Sequence, residues 1–185
     1  MKIPVLGMDP SLRNWGLAAG WLDLQSGHLS DVHLQVIQPK EETSKQVRKN
    51  SKDLEIARLL VTDLNPLVWA AKVIFVEVPV GSQSARAMAS YGICVGILGS
   101  FQACGFQLIE VSPNEVKTAL TGKKDATKGQ MIAAARHAYA GANWPMQKDQ
   151  VIVSKAEHMA DAIGAIHAGV HTAAFQQLMR LYAKA

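Results

Sequence analysis

Asp9 and Glu77 each close an apolar run, and Asp161 follows His158 by three residues. The two runs are Val5-Leu6-Gly7-Met8-Asp9-Pro10 and Val73-Ile74-Phe75-Val76-Glu77-Val78-Pro79, each reaching a carboxylate and then a proline. Continuous apolar runs of this kind are expected of central strands covered on both faces. A carboxylate at that depth is unfavourable unless a cation meets it. His158 and Asp161, at helical spacing, share one helix face and can aim at one spot. Together these residues read as a divalent metal site. Hard cations such as Mg²⁺ take carboxylate oxygens and keep waters, which leaves room for a phosphate. Two such ions can activate a water and stabilise the leaving oxygen in phosphodiester hydrolysis. The chain has no zinc-type Cys/His spacing, no Walker lysine loop and no Gly-x-Ser-x-Gly elbow.

Several elements must position these groups. Strands are expected over residues 2–8, 15–23, 32–37, 73–77 and 107–111. The stretch 42–71 is expected to be mostly helical, burying Leu54, Leu59, Leu60, Leu64 and Leu67, with Pro66 disturbing it. From 83 to 105 the small residues Ala85, Ala89, Gly92, Gly96 and Gly99 recur every three or four positions. That stripe fits close helix contact, either with the sheet of its own subunit or across a subunit interface. Three capping-box patterns mark later helix starts: Ser112 to Glu115, Thr127 to Gln130 and Ser154 to Glu157. The third assigns Glu157 to the helix cap rather than to the metal. Residues 141–153 read as a loop. Leading strands followed by alternating helices and strands predict an α/β sandwich with a mixed sheet.

A chain of 185 residues is long enough for one domain with a sizeable core, so 1–185 is read as a single unit. An apolar fraction of 49% against 18% charged residues argues against wholesale disorder. The net charge of +4 is compatible with a polyanionic partner. Cys94 and Cys104 are the only cysteines, and no disulfide is expected between them, which favours a reducing compartment. Neither a cleavable leader nor a membrane-length apolar run is visible, so a soluble, intracellular (cytoplasmic) protein with no membrane partner is expected.

The segment Gly7-Met8-Asp9-Pro10-Ser11-Leu12-Arg13-Asn14-Trp15-Gly16 resembles the first motif of the RuvC-type Holliday junction resolvases, members of the ribonuclease H-like superfamily. The likeness continues, in order, through Val76-Glu77, the helix from Ser84 to Gly96, Val111 to Lys117, Gly122 to Gln130 and His158-Met159-Ala160-Asp161-Ala162. The resemblance implies a ribonuclease H-like α/β fold, with a mixed five-stranded sheet flanked by helices. It implies a homodimeric endonuclease that needs Mg²⁺, with Mn²⁺ tolerated and two ions per site, and that cuts four-way and other branched DNA. Asp9, Glu77, His158 and Asp161 fall on the family's metal-binding and catalytic positions. His158 stands where members carry either Asp or His, so it could ligate an ion or orient the water. Lys117 and Lys128 fall on positions associated with the scissile phosphate, which adds Lys117 to the catalytic set. Arg13, Lys117, Lys123, Lys124 and Lys128 form the expected nucleic-acid contacts, with Lys45, Arg48, Lys49 and Lys52 as further candidates. The chain departs from the family at Ser11, often Gly, and at Val80, where some members place an aromatic that stacks on a base.

Three other functions fit parts of this pattern. A ribonuclease H-like nuclease of the YqgF type would act on RNA with the same opening motif. A DNA-binding protein without catalysis would have no use for carboxylates facing phosphate. An actin-like kinase would need a second phosphate loop and about two domains, more than this length supplies.

Overall fold

The structure is a computed structural model that describes residues 1–40 and 43–182. Five strands form the main sheet: β1 (Lys2–Asp9), β2 (Trp15–Asp23), β3 (Leu29–Ile37), β4 (Val73–Glu77) and β5 (Leu108–Val111). Their order is β3-β2-β1-β4-β5. β1 pairs with β2, and β2 with β3, in antiparallel fashion, whereas β4 runs parallel to both β1 and β5. The mixed ribonuclease H-like sheet expected from the sequence is thus present. β3 begins at Leu29, ahead of the expected residue 32.

Helices cover both faces. On one face α1 (Lys49–Ala70) and α2 (Ala85–Ala103) pack over Leu6, Met8, Leu17, Ile74 and Val76. On the other, α3 (Pro113–Thr121), α4 (Lys128–Ala138), α5 (Val153–Gly169) and α6 (Ala173–Tyr182) enclose Val5, Ala18, Val73, Phe75 and Ile109. α5 is the centre of that layer, and most of its residues from Ala156 to Gly169 are buried. No described helix is long and apolar enough to cross a membrane.

The helices depart from the expectations in several places, and the structure decides between the two readings of the α2 stripe. α1 starts at Lys49, with residues 43–48 outside the helix; Glu42, the expected start, lies outside the described residues. Its buried stripe is Asp53, Ile56, Leu60, Leu64 and Val68, while Leu54 is 73% exposed and Leu59 and Leu67 are half-buried. Pro66 sits on the exposed side, and the helix continues past it to Ala70. In α2 the packing face is Cys94, Ile97, Leu98 and Phe101, and the small-residue stripe is exposed, so it does not pack on its own sheet. A Cβ added at Gly92, Gly96 or Gly99 would meet nothing within 4 Å.

The first two capping boxes form as expected. Ser112 Oγ accepts from the Glu115 amide while Glu115 Oε2 accepts from the Ser112 amide, and Thr127 and Gln130 repeat the exchange. The third does not form, because α5 starts at Val153 with Ile152 at its cap and no side-chain cap bond. The 141–153 loop contains a short hairpin, β6 (Met146–Gln147) and β7 (Gln150–Val151), turning through Lys148 and Asp149 at positive φ. Ahead of it, the Asn143 side-chain amide accepts from the Leu34 N–H at 2.7 Å and donates to the Leu34 carbonyl at 2.9 Å.

Candidate active site

Strand parity aims the first two carboxylates. In β1, Leu6 and Met8 face the α1/α2 layer, so Val5, Gly7 and Asp9 face α5. In β4, Ile74 and Val76 face α1/α2, so Val73, Phe75 and Glu77 face α5. Because the strands are parallel and Met8 is in register with Val76, Asp9 and Glu77 emerge side by side at the same end of the sheet.

Glycines then let α5 come close. A Cβ on Gly7 would stand 2.1 Å from the Ala162 carbonyl oxygen, and one on Gly16 would stand 2.2 Å from that of His158. Only residues without a Cβ allow backbone contact of this kind. It places His158 and Asp161, one turn apart on α5, directly over Asp9 and Glu77.

The result is a pocket of about 310 Å³ lined by Asp9, Ser11, Glu77, Pro79, Val80, Tyr91, Lys128, Glu157, His158 and Asp161, among others. All four expected metal and catalytic side chains meet there. His158 Nδ1 lies 2.5 Å from Asp9 Oδ2. Burial pulls the imidazolium pKa down, but the Asp9 bond and the negative charges of Asp9, Glu157 and Asp161 outweigh it, leaving His158 above its ordinary value. The ring beside Asp9 is thereby held toward its protonated form.

Glu77 and Asp161 have no such partner. Neither carboxyl accepts a hydrogen bond from any described residue. Burial first, then the charges of Asp9 and Asp161, push Glu77 up to about 8; burial and Asp9 push Asp161 up to about 7. Lys117 on α3 opposes both shifts, which puts its ammonium within electrostatic reach of the two acids. Half-buried carboxyls with no donors and mutual repulsion are the donor chemistry a hard divalent ion satisfies. Among the described residues, no three acidic, His or Cys side chains stand close enough to enclose an ion.

Glu157 is the residue that sequence reasoning misplaced. Freed from a capping role, its Oε2 lies 2.6 Å from Lys128 Nζ, and its Oε1 lies 3.7 Å from His158 Nε2. The signal available was its position directly before His158, which a capping-box reading hides. Lys128 lines the pocket at the first position of α4. Lys123 and Lys124 are exposed on the α3–α4 connection, and Lys124 lines a different cavity with Glu115 and His171. Arg13 is exposed on the β1–β2 turn, outside the pocket lining. Val80 does line the pocket and is 83% exposed.

Comparison with known proteins matches this arrangement to one family. The family model for the crossover junction endodeoxyribonuclease RuvC matches residues 5–165. The fold is similar to a Thermus thermophilus RuvC structure at 19% identity and a TM-score of 0.56, covering 97% of each chain. It is also similar to T. thermophilus RuvC in complex with Holliday junction substrate, at 18% identity and a TM-score of 0.58, over 90% of this chain and 93% of that one. No curated protein matches the chain.

Proposed function

Since the chain belongs to the RuvC family of crossover junction endodeoxyribonucleases, and is thus a Holliday junction resolvase of DNA recombination and repair, we propose that its active site is the pocket of Asp9, Glu77, His158 and Asp161. The observation that carries this reading is the convergence of half-buried Glu77 and Asp161, neither accepting a hydrogen bond, beside Asp9. The active unit is a single ribonuclease H-like domain acting as a homodimer on four-way and other branched DNA.

Asp9, Glu77 and Asp161 would hold Mg²⁺, two ions per site, with Mn²⁺ accepted by the same oxygen donors. Bound there, the metal supplies Lewis acidity to the attacking water and the leaving oxygen. The protein does the rest. Lys117 offers positive charge where the phosphate turns most negative. Lys128, at a helix N-terminus, exchanges its contact with Glu157 for a phosphate oxygen. Arg13, Lys123 and Lys124 hold the backbone further out. The decisive experiment incubates the protein and Mg²⁺ with labelled four-way junction, linear duplex and RNA–DNA hybrid. Paired symmetric cuts in the junction alone are expected; preferential cutting of the hybrid would overturn the reading.

His158 separates two roles. His158→Asp restores a carboxylate oxygen and is expected to retain substantial Mg²⁺-dependent cutting, whereas His158→Ala loses most of it. Single-turnover rates on a saturated junction check this. If the Ala variant cuts as fast as wild type, His158 only packs against Asp9.

Symmetric incision of two equivalent strands calls for two sites related by a two-fold axis. The outward stripe of α2 supports a helix-to-helix interface for that purpose. A Cβ added at Gly92 or Gly96 meets nothing within 4 Å inside the subunit, so Leu at either is expected to spare the fold. Gly92→Leu or Gly96→Leu is expected to give monomers that nick junctions without resolving them. Sedimentation at micromolar concentration tests this, and dimers of undiminished stability in both variants would remove α2 from the interface.

A further inference from the structure

Glu157 lines the active pocket but belongs neither to the proposed ligand set nor to a helix cap. Its side chain keeps 17% of its surface exposed, so the carboxylate is sunk in the pocket wall. It stands four residues before Asp161, on the same face of α5. After burial and the charge of Asp9, its own charge adds to the rise of Asp161 to about 7. A fourth carboxylate also works against the entry of a phosphate. The arrangement is unfavourable unless this carboxylate holds something the site uses.

What it holds is cationic. Oε2 accepts from Lys128 Nζ at 2.6 Å, and Oε1 lies 3.7 Å from His158 Nε2. One carboxylate therefore spans the lysine at the start of α4 and the imidazole beside Asp9. The lysine reaches down to it from the rim, since 75% of the Lys128 side chain remains exposed. The pair adds little to the fold, because an ion pair with so exposed a partner contributes little stability. Packing of α4 on α5 rests instead on Met131, Ile132 and Ala135 in one apolar core with Ala156, Met159 and Ile163. Without Glu157, a long exposed lysine would sample many positions over the pocket.

We propose that Glu157 is a positioning residue that holds Lys128 beside His158, where an oxygen of the scissile phosphate docks, and that the phosphate enters by exchanging with its carboxylate. The inference rests on the nuclease reading above. The carboxylate then acts in two opposed ways. It lowers affinity, because DNA must displace it. It raises the rate, because the ammonium is already in place when the phosphate arrives.

Two measurements on the full-length protein separate these effects: junction binding across salt concentrations without Mg²⁺, and single-turnover cutting of saturated junction with Mg²⁺. Glu157→Gln keeps the shape and removes the charge. It is expected to bind junction several-fold more tightly, with log affinity falling more steeply against log salt by up to about one, yet to cut about 10-fold more slowly. Glu157→Asp keeps the charge but is one methylene shorter. It is expected to bind no more tightly than wild type and to cut about 10-fold more slowly. In a Lys128→Gln background, Glu157→Gln should slow cutting no further, because the carboxylate acts through the lysine. Thermal melting shows that the variants fold, and either single variant decides alone if the other does not. A pair that only staples α4 to α5 would not tighten binding. A wild-type cutting rate in either folded variant, unchanged affinity in Glu157→Gln, or additive losses with Lys128→Gln overturns the inference. A wild type that leaves the junction uncut overturns the nuclease reading and takes this role with it.

Discussion

Asp9→Asn, Glu77→Gln and Asp161→Asn are each expected to slow junction cutting by at least about 100-fold while affinity for the junction stays within a few-fold. The rate depends on carboxylate oxygens holding metal, whereas affinity comes mainly from Lys and Arg on phosphates. Stability should move the opposite way in Glu77→Gln. The metal-free fold holds Glu77 up at about 8 and Asp161 up at about 7, each above its ordinary value of 4.5 or 3.8. The folded state therefore binds protons more tightly than the unfolded chain does. The stability this contributes is complete below the ordinary carboxylate values and is lost as pH rises through 7 and then 8. Glu77→Gln has no such charge to bury. In chelator it should be more stable than wild type at about pH 9 by a few kcal/mol, with the gap closing near pH 5. Denaturant melts across that range measure it, and Mg²⁺ should stabilise the wild type but not the variant. A variant that cuts at the wild-type rate would remove its residue from the ligand set.

Gly16→Ala is expected to be nearly as damaging to cutting, from a position with no functional group at all. Its new methyl would stand 2.2 Å from the His158 carbonyl oxygen and 2.8 Å from the His158 Cβ. The obstructing atom is backbone, so no rotamer change relieves the contact. Either α5 moves off the sheet, taking His158 and Asp161 away from Asp9, or the fold absorbs the strain. We expect a loss of about 2–4 kcal/mol in stability together with a drop in cutting of at least about 10-fold. Gly129→Ala is the control, since a Cβ there meets nothing within 4 Å and Ala is the better helix former. Wild-type stability and cutting in Gly16→Ala would mean that α5 is not seated against the backbone of β2.

The acidic core of the site was legible because strand parity and helical spacing are local rules. Two apolar runs ending in carboxylates, and a His and an Asp one turn apart, need no knowledge of the rest of the chain to be aimed. What was not legible depends on distant partners. Asp53 could not be read as buried without Arg86, which forks onto its carboxylate from 33 residues away in sequence. Leucine spacing alone places Leu54 in the core, where the structure leaves it 73% exposed. Glu157 carries a local capping pattern, but α5 starts one residue before Ser154, and the Glu157 carboxylate meets Lys128 on another helix. The stripe on α2 was compatible with two packings, because small residues report only that something comes close. The hairpin at Lys148 and Asp149 turns without glycine, so its turn signal was weak.

The Asn143 amide bound to both main-chain groups of Leu34 has a consequence for self-association. β3 is an edge strand, and an open edge is a template onto which a second chain can add a strand. At Leu34 that template is already occupied by a side chain mimicking a peptide group from 109 residues downstream. The opposite edge, β5, is four residues long and presents the exposed charge of Glu110. Sheet extension is thereby discouraged at both ends, which leaves helix surfaces as the route by which two copies can meet without growing into an open-ended polymer.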